Sequence, residues 1–583
     1  MGFSSWLRNW RRPGSGQRGR AQTPARKRAS YRPTLEALED RWLPSTLTVL
    51  NLNDSGPNSL RAEIAAAQDG DTIHFAGKLA GHTITLSSGQ LVVNKSLDIE
   101  WLNAGNLTVS GNNASRVFDI QGGATVTIGG LTIADGLVVD DKGGGIANEE
   151  GATLHLVNDT FADNTAYGIG GGLWNADGAT VTVSGSTFTG NKAFGSLTFS
   201  YPEEGFSPGS GTTEGGAIDT DGTATVTDST FTGNLAQGIT GSSGTGGGAH
   251  GGAISTDGDL TVSGCTFTGN LARGGDGGAG SSGNDGGSGG QAEGGAFAIG
   301  VPTSVVDVSY STFTNNQSLG GTGGVGSTGH DGGTGGIGAA GALSLGDATL
   351  TLSHSTFTYN QATGGTGGIG RGGAFVHTVT FGTSTPLSNL DNVTMRHNHA
   401  TGGVGGTGGR GGNGGNGGAG QGGAIRALLG TVNVSYSHLD DNQAVGGAGG
   451  AAGVGGTHGG SGGNGQGGGL LATFGVTATL TDTDLLGNQA LGGAGAAGGN
   501  GGNGQGGGIF VDGASPFGTP NVALSGCTVE FNEADGGAAG AGGSDGLGIG
   551  GGVYVSSLGK FTFDDATVIA LNHASTRNDN IFP

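Results

Sequence analysis

Apolar and polar residues alternate in short runs along most of the chain, and Gly, Asn or Asp separates one run from the next. Leu260-Thr261-Val262-Ser263 is one such run. Successive side chains of an extended backbone point to opposite faces, so this period of two reads as a strand with one buried face. The runs recur in a fixed frame. Gly251 to Ala272, GGAISTDGDLTVSGCTFTGNLA, opens on a Gly-Gly-small-aliphatic tetrad, turns at Asp257-Gly258 and closes on Phe267-x-x-Asn270-x-Ala272.

From Gly143 onward there are eleven copies, closing on Asn164, Asn191, Asn234, Asn270, Asn316, Asn360, Asn398, Asn442, Asn488, Asn532 and Asn572. An apolar residue stands three places before each Asn, and Ala, once Ser318, follows two places after it. A unit of three short strands cannot bury its apolar face alone, whereas stacked units can. The repeat therefore predicts an all-β chain forming a single parallel β-helix, a solenoid of about fifteen coils and about 70 Å. Its aliphatic and Phe positions form interior columns, and its asparagines form a corner ladder that passes amide hydrogen bonds from coil to coil.

Before the repeats, residues 47–77 read as strand, turn, helix and strand, with Ser59 as N-cap and Leu60, Ile64 and Ala67 on one stripe that can cover the open end of the stack. The expected organisation is a basic disordered leader over 1–46, the cap and first coils over 47–142, repeats with lateral Gly-rich inserts over 143–574, and a tail over 575–583.

Composition agrees with repetition. There are 138 glycines in 583 residues with only 12 prolines, and no Gly-X-Y period of the collagen kind. The net charge of -22 is uneven: residues 1–41 carry ten Lys or Arg against three acids, and the remainder has a net of -29. Such a body repels nucleic acid and anionic membrane surfaces. No apolar run approaches the roughly 18 residues of a membrane span. Cys265 and Cys527 occupy the same slot six coils apart, too far for a disulfide, and are expected as free buried thiols.

Three stretches resemble known families. Leu35-Glu36-Ala37-Leu38-Glu39-Asp40-Arg41-Trp42-Leu43-Pro44-Ser45 resembles the leader of many planctomycete surface and secreted proteins, which implies export to the cell envelope or beyond. DSGPNSLRAEI, from Asp54, resembles the opening module of many bacterial surface β-helix proteins, with Glu63 in the usual Ala slot. The Gly-Gly-Ala-Ile and Phe-x-x-Asn tetrads resemble those of chlamydial polymorphic outer-membrane proteins, which implies a right-handed helix exposed at a cell surface. Here residues 578–583 follow the last repeat with no membrane barrel, which speaks against autotransporter-style export.

The inserts between repeats are GGX tracts, such as TGGVGGTGGRGGNGGNGGAGQ from Thr401 to Gln421. Two readings stay open: a flexible fringe, or an ordered array resembling the polyglycine arrays of mycobacterial PGRS proteins.

Candidate chemistry is sparse. Matches to the nucleophile elbow at Gly286 to Gly290 and Gly459 to Gly463 are expected by accident in glycine tracts, and HExxH, paired CxxC and phosphate-loop motifs are absent from the sequence. Acids recur in the first turn of successive coils, Glu149-Glu150, Asp177, Asp221 and Asp257. They read as solvated turn residues, with Asp177, Asp221 and Asp257 the candidates for a weak Ca²⁺ site. Asp440-Asp441, Asp482 with Asp484, and Asp564-Asp565 are the nearest carboxylate pairs, and none has a basic neighbour in sequence. His397 and His399 flank Asn398 and read as loop histidines.

The resulting expectation is a secreted or envelope-surface, non-enzymatic, structural or adhesive monomer without a cofactor. Its partner would be a surface or matrix component, carbohydrate among them. The alternative is a polysaccharide-binding or polysaccharide-cleaving β-helix.

Overall fold

A computed structural model describes residues 44–583 apart from 200–210, 243, 301–303, 328–329, 379–385 and 514–517. Nearly all of the expected leader, including the Leu35 to Ser45 motif up to Leu43, lies outside the described residues.

The chain is a right-handed parallel β-helix. Its strands form sheets of 15, 14, 14, 12 and 9 members, each strand paired with its counterpart one coil away. Thr187-Phe188-Thr189 lies against Thr230-Phe231-Thr232, which lies against Thr266-Phe267-Thr268. Each coil has more strands than the three expected. The closing motif bends at its Asn, so Thr266–Thr268 and Leu271–Arg273 belong to different sheets. A short fifth strand, such as Ala249–His250, precedes the Gly-Gly corner from Thr213 onward.

Helix α1 (Leu60–Ala66) begins as expected, with the Ser59 hydroxyl accepting from the Ala62 N–H, and buries Leu60 and Ile64. The Arg61 guanidinium holds Asp54 at 2.7 Å, which gives the opening motif a structural purpose. At the other end, residues 575–583 do not form the expected tail. Ile581–Phe582 pairs with Val553–Tyr554, and Asn580 receives the last ladder hydrogen bond, from Asn572, at 3.1 Å. The last rung otherwise leaves those groups unpaired.

Interior columns follow from the register. Phe161, Phe188, Phe231, Phe267, Phe313 and Phe357 stack with neighbouring ring centroids 4.4–5.0 Å apart, an arrangement that adds aromatic attraction to burial. Cys265 and Cys527 are free and buried, as expected.

Beside the Phe column stands the asparagine ladder. The residue before each ladder Asn is left-handed, whether Gly269 or the sterically unsuited Tyr359, Phe531 and Leu571. This turns the Asn side chain inward. Asn270 Oδ1 accepts from the Asn234 backbone N–H at 3.1 Å and from its Nδ2 at 2.9 Å. Asn270 Nδ2 donates in turn to Asn316 Oδ1 at 2.9 Å and to the Phe231 carbonyl at 3.0 Å. Every amide hydrogen and oxygen in the file thus has a partner away from water.

The glycine inserts are ordered, which settles the choice between fringe and array. Along the outgoing limb after Thr401, Gly402, Gly405 and Gly408 donate to Val445, Ala448 and Ala451 of the next insert at 2.8–2.9 Å. On the returning limb Gly415 and Gly418 donate to Gly406 and Gly403 at 2.8 Å. The period of three is that of a threefold extended helix. Two residues in three face a neighbouring limb, where a side chain does not fit: a Cβ on Gly405 would collide with the Gly415 carbonyl oxygen. The third faces solvent, as Val404 does at 60 % exposure. GGX is the sequence of that packing.

Two outcomes test this account. Asn270→Leu strands the Asn234 N–H, the Phe231 carbonyl and part of two amides, and should lower unfolding free energy by about 2 kcal/mol or more in a denaturant titration. Gly405→Ala should destabilise by about 1–3 kcal/mol and expose the insert amides to hydrogen exchange, whereas Gly409→Ala, at a limb tip with open space around it, should change neither.

Candidate functional site

Around the Gly-Gly corner each coil contributes two outward side chains: the second residue of the short fifth strand and the middle residue of the strand after the corner. Gly251 makes the corner possible, because its left-handed backbone would drive any Cβ into the Ile254 carbonyl. Register stacks these residues into two adjacent columns. One holds Glu214, His250 and Glu293, and the other Trp174, Asp219 and Ser255.

The side chains converge in the coils from Trp174 to Asp257. Glu214 Oε1 lies 3.1 Å from His250 Nδ1, and Ser255 Oγ donates to Glu214 Oε2 at 3.2 Å. The Trp174 indole N–H donates to Asp221 Oδ2 at 3.3 Å, and Lys142 Nζ sits 3.9 Å from the centre of the Trp174 ring. Asp219 is 1 % exposed, and its Oδ2 has no hydrogen-bond partner.

The electrostatics follow from crowding acids in a dry place. Burial, then the charges of Asp221, Glu214 and Asp257, push the Asp219 carboxyl well above the usual carboxylate range. Burial, followed by Glu214 and Asp221, raises Asp257 to about 6. Burial alone would lower His250, but the hydrogen bond and charge of Glu214, helped by Glu293 and Asp257, outweigh it and raise the imidazole to about 9. At neutral pH the cluster therefore sets an imidazolium, His250, beside a carboxyl, Asp219, whose charged form is disfavoured by burial and by its acidic neighbours.

Two concavities flank it. One, of about 380 Å³, is lined by Asp177, Asp221, Asp257, Asp259 and Ser304, and the other, of about 580 Å³, by His250, Glu293 and glycine-array residues. The three acids expected to hold Ca²⁺ thus share a hollow, but their oxygens are not gathered within 4.8 Å of one another. Among the described residues the group that is so gathered is Glu533, Asp535 and His573.

The structure also supplies Asp440 and Asp441 with the basic partner their sequence context lacked. Arg396, opposite Asp440 on the previous coil, lies 3.5 and 3.8 Å from the two carboxylates. His397 stacks on Tyr359, and burial, opposed by a hydrogen bond with Gln443 and aided by the charge of His397, lowers the proton affinity of His399. Asp219, Glu214, His250 and Trp174 were not picked out from the sequence. For Trp174 and Asp219 the available signal was the middle slot of the strand after each Gly-Gly, whose residue type varies from Ala147 and Leu471 to Arg426 and Tyr554.

No family model and no curated protein matches the chain. Solved structures do. The periplasmic alginate epimerase AlgG matches at 10 % identity over 84 % of both chains with a TM-score of 0.29. The catalytic unit of a GH87 α-1,3-glucanase from Streptomyces thermodiastaticus matches at 10 % identity, over 92 % of this chain and 70 % of that one, with a TM-score of 0.36. Pectate lyase Pel9A matches at 14 % identity, over 60 % of this chain and 76 % of that one, with a TM-score of 0.26. By their descriptions these structures are an epimerase, a glucanase and a lyase, so the expected non-enzymatic, adhesive reading is not carried forward. Likeness at this level reaches the fold alone, and the chemistry is argued from the residues above. Among the described residues no helix is long and apolar enough to cross a membrane.

The raised carboxyl of Asp257 carries a pH signature. Between its unfolded value near 3.8 and its folded value near 6, the native chain keeps a proton that the unfolded chain has released. That contribution to stability is complete below the lower value and is lost as pH rises through the upper one. Asp257→Asn should remove this decline in thermal stability between pH 4 and 6, measured by calorimetry across that range.

Proposed function

We propose that this β-helix cleaves a polysaccharide by acid–base chemistry at the Asp219–Asp221–Asp257 cluster. The observation that carries the reading is Asp219, a carboxyl 1 % exposed with an unpartnered oxygen, set among three further carboxylates beside an open hollow. Glycosidic cleavage needs one carboxyl that holds its proton near working pH and one that does not. Asp257, raised to about 6 and lining the hollow, is the acid. Asp221 lines the same hollow with one oxygen held by the Trp174 indole, and is the carboxylate that acts as base or nucleophile. Asp219 belongs to the same cluster, and burial disfavours its charged form. The resemblance of residues 35–45 to an export leader supports a secreted or envelope-facing location, where such polymers occur.

The test is incubation of purified protein with alginate, pectate, α-1,3-glucan and other wall polymers, followed by assay of new reducing ends and of unsaturated products. Cleavage should fall about 10²- to 10⁴-fold in Asp221→Asn and Asp257→Asn. It should also fade as pH rises past about 6, where Asp257 loses its proton. Failure of the folded protein to release product from any polymer, or full activity in both variants, overturns the reading.

A further inference from the structure

Farther along the same two columns stands a second polar set of opposite sign. Arg371 occupies the short-strand column and is paired in register with Gln421 of the next coil. Arg426 occupies the other column, in the coil of Gln421, five strands along its sheet from Asp219. That distance is about 24 Å at the usual strand spacing.

Arg426 is only 4 % exposed, yet among the described residues its one side-chain hydrogen bond is Nε to Gln421 Oε1 at 3.3 Å. Gln421 is itself fixed, because its Nε2 donates to Gln466 Oε1 at 3.0 Å in a short amide ladder. Arg371 is half-buried, and its Nε is shielded from solvent without a hydrogen-bond partner. Each guanidinium feels a distant carboxylate, Glu293 for Arg371 and Asp512 for Arg426, and Arg371 repels Arg426. Among the described residues neither makes an ion pair, on a chain whose net charge is -22.

A buried guanidinium with open donors beside a half-buried like charge is costly, and removing such a charge in favour of an apolar side chain is often neutral or stabilising. Their retention in adjacent slots makes sense if a ligand supplies the missing acceptors. Guanidinium forks match the paired oxygens of carboxylate and sulfate groups.

We propose that Arg371 and Arg426 form an anion subsite that seats the carboxylate or sulfate of an acidic polysaccharide lying along this flank. The inference rests on the polysaccharide reading and narrows it: the polymer is anionic, and the arginines hold it several sugars away from the carboxylates that act on it. The strip sorts the ligand's charge, since the acid cluster repels an anionic group at the reacting end while the arginine pair attracts one at the other.

The test reads thermal stability of the full chain with galacturonate and with inorganic sulfate, which separate the two anion types. Either should raise the melting temperature of the unaltered protein, and affinity should weaken at least about tenfold in Arg371→Gln and Arg426→Met. Arg426→Met should melt no lower than the parent without ligand. Should that variant fail to fold, the half-buried Arg371→Gln decides by itself. Equal stabilisation of parent and variants, or none of the parent, overturns the subsite. If the anions bind as expected but no polymer is cleaved, the cleavage reading fails and the subsite stands. If a neutral glucan is cleaved and the anions have no effect, the reverse holds.

Discussion

The whole molecule depends on in-register parallel stacking, which places each residue directly over its equivalent in the next coil. Main-chain pairing alone permits neighbouring registers, but the buried asparagines do not. Each Asn amide must meet both the next amide and the Phe carbonyl of the coil before, so a slip of one residue would bury unpaired donors along the entire file. The left-handed residue before every ladder Asn, tolerated even at Tyr359, Phe531 and Leu571, shows how strictly that corner is held.

Stacking also extends outward. Once the corners are fixed, the inserts leave from equivalent points and meet their neighbours at a spacing that glycine main chains can bridge. The threefold extended helix has no internal hydrogen bonds, so its N–H groups are free to pair between limbs. The array is thus a consequence of the helix beneath it, and it walls one side of the candidate site, where Gly246, Gly289 and Gly335 line the hollow beside His250 and Glu293.

The same geometry makes chemistry. Outward slots that are harmless when filled by Ala or Ser become a reactive strip when successive coils place Asp, Glu or Arg there, because charges about 4.8 Å apart cannot ignore one another. Burial and neighbouring carboxylates raise the proton affinity of Asp219 and Asp257, and burial together with Arg371 lowers that of Arg426. An architecture built on repetition thus obtains a site from the slots where repetition is broken.

Much of the fold was legible from the chain, because periodicity is a local property: the Gly-Gly and Asn landmarks, the Phe column, the N-cap at Ser59 and the free thiols all declare themselves in sequence. The number of strands per coil was not, since the bend at Asn270 depends on where the next coil sits. Nor was the order of the inserts, whose outgoing glycines pair with limbs some forty residues away, as Gly402 does with Val445. The candidate site was the least visible part. Asp177, Asp221 and Asp257 could be noticed one by one as turn acids, but Asp219, 1 % exposed, and Arg396 beside Asp440 acquire their character from neighbours in other coils. Sequence determined which residues repeat; the tertiary stack alone decided which of the exceptions meet, because proton affinity and ion pairing depend on distance in space.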